Sequence, residues 1–203
     1  MTALFSISYL PPISYIHQCL QADEIIIEQH EHFIKQTYRN RCKIYSPNGI
    51  QSLIVPLKHQ NLSHSPVKDA RISFDVPWNK MHWKAICSAY RNSPYFEFYE
   101  DDFKHVFKKP DVFLIDFNLN LLNIIFKIFK IQKIISRSEN FDKTPPLIND
   151  LRNTFHPKNK TFDIAPYHQV FSDRHGFLND LSCIDYLFNA GVKDVSSITI
   201  NNQ

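Results

Sequence analysis

The stretch Ile25-Ile26-Ile27-Glu28-Gln29-His30-Glu31-His32 decides how this chain is read. Three consecutive β-branched residues with no polar alternation suit a short strand covered on both faces, the habit of parallel sheets. A charged run follows at once. Glu28 therefore falls at the strand's carboxyl end, where open α/β sheets place their ligands.

Further strands are expected nearby. Residues 51–58 (QSLIVPLK) read as one, with Pro56 at its end or on an edge. Residues 71–76 (RISFDV) alternate Ile72, Phe74 and Val76 against Arg71, Ser73 and Asp75, the pattern of a half-buried strand. Ser46-Pro47-Asn48-Gly49 carries turn chemistry, so a hairpin should join 41–45 to 52–57. Helices follow. Trp78, His82, Ala85, Ile86, Ala89 and Tyr90 share one helical face, and Ser93-Pro94 ends it. A second stripe joins Phe96, Tyr99, Phe103, Val106 and Phe107. Residues 119–135 read as a third helix, apolar except for a narrow face of Asn120, Asn123, Lys127 and Lys130, which suits a core helix with its lysines in water. Residues 136–146 and 156–166 read as polar loops. A closing helix spans about 179–190, capped by Asn179 or Asp180 and stopped by Gly191, with Asp185 needing a partner if buried.

The fold class expected is α/β: a single domain over residues 1–194 with a mixed, mostly parallel sheet in Rossmann-like layering, an antiparallel hairpin and flanking helices, then a polar tail over 195–203. A chain of 203 residues suits one domain.

Composition excludes several classes. The chain has 3 glycines, Gly49, Gly176 and Gly191, too far apart for any glycine-rich phosphate loop. The first charged residue is Asp23 and no apolar run is long enough to span a bilayer, so a cytoplasmic protein without signal peptide is expected. The 4 cysteines form no C-x-x-C pair and read as free thiols. A net charge of +3 and a pI near 8.6 fall short of a dedicated nucleic-acid surface, so nucleic acid is not an expected partner.

Among polar residues, Lys35-Gln36-Thr37-Tyr38-Arg39-Asn40-Arg41-Cys42-Lys43 stands out, with four cations and no acid. As a strand it would place Lys35, Arg39, Arg41 and Lys43 on one face, where they repel unless an anion answers them. Arginine forks match phosphate or carboxylate, which makes Arg39 and Arg41 anion clamps, with Lys35 assisting and Asn40 orienting. A solvated basic edge strand is the alternative. Glu28 and His82 are the candidates for proton transfer, against a salt-bridged glutamate and a core histidine. His30 and His32 could begin a metal site, yet no third ligand can be named, so neither a metal nor another cofactor is expected.

Taken together, these segments resemble the WbqC-like family of bacterial proteins found with surface-polysaccharide (O-antigen) biosynthesis. The resemblance rests on residues 35–41 (KQTYRNR), Pro47-Asn48-Gly49, Ile54-Val55-Pro56, Trp78 with His82-Trp83, Ser88-Ala89-Tyr90, Ser93-Pro94-Tyr95-Phe96, Asp116-Phe117-Asn118, Gln169-Val170-Phe171, His175-Gly176-Phe177 and residues 185–189 (DYLFN). Many relatives carry Gln-Pro after the first strand, where this chain has Leu10-Pro11-Pro12. The resemblance implies a transferase acting on an anionic or nucleotide-activated precursor, with aminoacyl (glycine) transfer one suggested reaction. It adds Tyr38, Trp83, Tyr90, Gln169 and His175 to the substrate-binding candidates. A non-enzymatic binding or assembly protein is the alternative, since 17 phenylalanines and 9 tyrosines can supply a partner surface.

Overall fold

The isoleucine run is a parallel strand at the middle of a four-stranded sheet. The computed structural model describes residues 1–58, 64–146, 148–158 and 162–192, and the backbone of 200–202. Strand β1 (Thr2–Ser6) leads through helix α1 (Ile13–Gln21) to β2 (Glu24–Glu28), paired in parallel from Thr2↔Glu24 to Ser6↔Glu28. Two short strands complete the sheet: β5 (Ile135–Arg137) beside β2, and β6 (Asn149–Asp150) beside β1, both parallel. The order is β5-β2-β1-β6. The chain winds outward from β1 to β2 and β5, then returns to the other side of β1. That reversal opens a crevice between the carboxyl ends of β1 and β6.

The hairpin joins β3 (Arg41–Ser46) to β4 (Gly49–Ile54), in register from Arg41↔Ile54 to Ser46↔Gly49. Gly49 closes it at φ +92°, a left-handed position that glycine occupies without strain. Residues 35–38 are not part of this strand; they form a turn through Gln36 at φ +61°, so the four cations do not share a face.

Helices α2 (Trp78–Tyr90) and α3 (Phe96–Lys108) bury the stripes that their periodicity predicts. Helix α4 runs Leu114–Ile128, five residues earlier than expected at its start. Its end is a Schellman closure: Lys130 takes φ +55°, Ile131 N donates to Phe126 O at 2.8 Å, and Lys130 N donates to Lys127 O. That break frees 135–137 to enter the sheet, where the end of the helix and the start of a loop were expected. Asn120, Asn123, Lys127 and Lys130 are exposed, as a core helix with one wet face requires.

Residues 71–76 form no strand. Arg71 and Ile72 make single bridges, and then Ser73 turns the chain, its hydroxyl donating to Asp75 Oδ2 and accepting from Asp75 N. Phe74 and Val76 are left about half exposed, at 47% and 50%.

Strand β7 (Phe162–Ile164) lies inside the expected second loop and pairs antiparallel with β8 (Ile200–Asn202). Of the expected polar tail, residues 195–199 and 203, like the boundary at 194, lie outside the described residues. A single turn, α5 (Ser172–His175), precedes α6 (Cys183–Ala190), which begins later than the predicted caps and ends at Gly191, φ +74°. Asp180 instead caps α1 from outside: its carboxylate accepts from Ser14 N and Ser14 Oγ, at 3.1 and 2.8 Å. Asn179 clips β7, accepting from Ile164 N and donating to Phe162 O. The protein is thus a mixed α/β domain, a parallel sheet with an antiparallel hairpin and flanking helices. All four cysteines are free, and no described helix is long and apolar enough to cross a membrane.

Candidate functional site

The carboxyl ends of the parallel strands carry a network of buried charges. Glu28, the last residue of β2, is 1% exposed; its Oε1 accepts from Ser138 Oγ and His30 N, both at 2.7 Å. Its Oε2 faces Arg152 Nη1 at 3.4 Å. Arg152 sits two residues beyond Asp150 and grips that carboxylate with Nε at 2.9 Å and Nη2 at 2.7 Å. This pairing holds the Asp150 carboxyl below its ordinary range and pushes the Arg152 guanidinium up. Arg39 makes the matching fork onto Glu31, with Nε at 2.9 Å and Nη2 at 2.6 Å, and the pair is buried. The two forks are linked. Arg39 Nη2 also donates to Ser6 Oγ at 2.7 Å, and Ser6 Oγ donates to the Arg152 carbonyl at 2.8 Å.

Two hollows open on this network. A cleft of about 550 Å³ is walled by His30, Glu31, His32, Lys143, Asp150 and Arg152, with Ile34 and Phe141 at its apolar lip. A ligand pocket commonly has this size. Beside it lies a recess of about 290 Å³, sharing Ile34, Arg152 and Asn153 with the cleft and adding Thr37, Arg39, Phe155 and His156. Ser6, Ile7, Ser8 and Leu151 border a narrow gap between them and the sheet, at the switch point between β1 and β6.

Not every candidate residue gathers here. Of the cation run, Arg39 borders the recess and Tyr38 the gap, while Lys35 is exposed on the turn. Asn40 donates to Val55 O at 2.9 Å, and Lys43 Nζ to Pro157 O at 2.7 Å. Arg41 is half buried, and its Nε is enclosed with no protein partner. The anion that answers Arg39 is the protein's own Glu31, four residues upstream of the run.

His82 lies elsewhere, among Tyr9, Trp78 and the Ile54 backbone; its Nδ1 and the Tyr9 hydroxyl are 2.9 Å apart. Burial lowers its imidazole to about 4. It lines none of these hollows. Trp83 packs on Phe96 and Phe107. Tyr90 and Gln169 belong to a third place, the buried Asp185 of α6: Tyr90 Oη donates to Oδ1 at 2.8 Å, and Tyr167 Oη and Gln169 Nε2 to Oδ2 at 2.7 and 2.9 Å. Asp185 thereby finds the partners that its place in the helix demands. His175 braces the hairpin, its Nε2 2.9 Å from Pro47 O.

Sequence reading missed Arg152, Asp150 and Ser6. The one available signal was Asp150-Leu151-Arg152, which puts acid and base on the same side of an extended chain. His30 and His32 both reach the cleft, yet among the described residues no group of three or more His, Cys, Asp or Glu side chains could hold a metal ion. His30 Nε2 is enclosed without a protein partner.

The fold is thus an open α/β sheet with a charged cleft at its switch point. Residues 8–152 match the model of the WbqC-like protein family, and the chain belongs to that family. It is similar to an uncharacterized protein of Mycobacterium tuberculosis (strain ATCC 25618 / H37Rv), 26% identical over an alignment of 152 residues that covers 72% of this chain and 65% of that protein. The match thus spans somewhat under two thirds of the relative's length. No solved structure matches.

Proposed function

We propose that this protein is a cytoplasmic transferase of surface-polysaccharide (O-antigen) biosynthesis, acting on an anionic or nucleotide-activated precursor that binds in the cleft and recess. The observation that carries the reading is the cleft itself: about 550 Å³, at the carboxyl ends of parallel strands, and walled by buried Glu31 and Arg152 with Asp150 and His30. Donors held rigid by ion pairs can stabilise developing charge without reorganising, which is the larger part of most transfer catalysis. Aminoacyl transfer to an amine or hydroxyl fits this arrangement.

The roles follow the geometry. Arg39 orients the ligand's charged group through Nη1, while Arg152, whose five N–H groups go to Glu28, Asp150 and the Asp142 and Lys143 carbonyls, fixes the shape of the wall. His30 handles the proton of the accepting group, because the residue lines the cleft and its Nε2 has no partner within the protein. Glu28, with its three donors, is a positioning residue that holds the His30 backbone and Arg152.

A thermal-shift screen of nucleotides and nucleotide sugars tests the reading. A ligand at ten times its Kd should raise the melting temperature by about 3–6 °C, corresponding to about 1.4 kcal/mol in a domain of this size. No shift from any of them at about 1 mM contradicts it. Ligand-insensitive melting together with a stoichiometric protein complex would favour the assembly-protein alternative.

A further inference from the structure

The cleft is lined by charges of both signs, the recess by cations. Glu31 and Asp150 border the cleft together with Lys143 and Arg152, and among the described residues no acidic one borders the recess. The Arg39–Glu31 fork lies across this divide, carboxylate on the cleft wall and guanidinium on the recess wall. Arg39 Nη1 donates to no described residue. Thr37 and Asn153 add neutral polar side chains to the recess, and Arg41, one position beyond Asn40, has an enclosed Nε with no partner.

We infer that the recess beside His156 is a phosphate subsite, holding the phosphate or diphosphate of the ligand against Arg39 while the cleft takes the rest of the molecule. The inference rests on the transferase reading and narrows it to a phosphorylated substrate with a fixed orientation. Phosphate is disfavoured beside the carboxylates of Glu31 and Asp150 and drawn to the recess by the spare Nη1 of Arg39 and by the nearby Arg41, whose Nε has no partner. His156 registers that potential. Burial, and then Lys158, Arg39, Arg41 and Lys43, hold its imidazole below the usual range. Its Nδ1 accepts from Lys158 N at 3.2 Å, which leaves Nε2 to carry the proton. A bound phosphate reverses the balance of charge there and stabilises the imidazolium.

The test is an NMR titration of the His156 ring, assigned by loss of its signal in His156→Asn, with inorganic pyrophosphate as probe. Saturating pyrophosphate should raise the midpoint of the His156 titration by about one pH unit, as an opposite charge at contact distance does. Arg41→Gln should weaken pyrophosphate binding about tenfold, while Lys143→Gln, on the cleft wall, should leave it unchanged. An unmoved His156 midpoint overturns the subsite, as does binding that falls with Lys143→Gln and not with Arg41→Gln. Nucleotide sugars that stabilise the protein while His156 stays unmoved would leave the transferase reading standing and remove only the subsite. A His156 shift with no response to any nucleotide sugar would keep the subsite and remove the nucleotide-activated substrate.

Discussion

Arg39 and Glu31, eight residues apart, meet in a two-pronged ion pair from which water is almost wholly excluded, Arg39 being 4% and Glu31 6% exposed. Read from sequence alone, the arginine belongs to an acid-free basic run whose removal should cost little. The pair reverses that expectation. Arg39→Ala strands a buried carboxylate and frees Ser6 Oγ, so it should destabilise the protein by about 3–5 kcal/mol. The double change Arg39→Met with Glu31→Leu should cost less than Arg39→Ala alone, because no charge is left unpaired. Urea unfolding of the three proteins measures both.

His82 gives a pH signature. Its folded value of about 4 lies below the ordinary 6.5, so the unfolded chain takes up a proton first as pH falls. Stability is full above pH 6.5 and declines toward pH 4, by about 3 kcal/mol from this group. His82→Gln should flatten that decline. Asp180 acts in the opposite sense: burial raises its carboxyl to about 6, so its contribution is present below the unfolded value of 3.8 and is lost as pH rises to about 6. Asp180→Asn should therefore steepen the net loss of stability on acidification. Unfolding free energies between pH 4 and 7 decide both signs.

Asp185 is the residue whose loss should be felt most in the core. Asp185→Ala leaves the Tyr90, Tyr167 and Gln169 donors facing a cavity, which should cost about 3 kcal/mol or more. Thermal unfolding by calorimetry reads the loss. Asp185→Asn should cost less, since one amide oxygen still accepts.

Gly191 ends α6 where an added Cβ would lie 3.0 Å from the Tyr95 ring, at φ +74°. Gly191→Ala combines that contact with left-handed strain and should destabilise by about 1–2 kcal/mol. Gly49→Ala has the strain without a neighbour within 4 Å and should cost less. Paired melting curves compare them.

Legibility from sequence followed locality. Ile25–Ile27, the Pro47-Asn48-Gly49 turn and the faces of α2 and α3 announce themselves within a few residues, and each stands where its pattern puts it. Strands β5 and β6 do not. Ser136-Arg137 and Asn149-Asp150 are short and polar, and pair in parallel with distant partners, so neither a turn nor an alternation marks them. The same holds at the site. Glu28 was legible because a strand visibly precedes it, whereas Arg152 joins Glu28 and Asp150 only once β6 closes the sheet. Tyr90 and Gln169 are candidates through the family resemblance, and both are bonded to Asp185, away from the cleft.

The most direct test of the account is a backbone amide NMR titration of the whole chain with the nucleotide sugar that gives the largest thermal shift. The account predicts perturbed amides at Glu31, Ile34, Asn153 and His156, around the cleft and recess. Perturbations confined to Tyr90, Gln169 and His175, with those four unmoved, would contradict it.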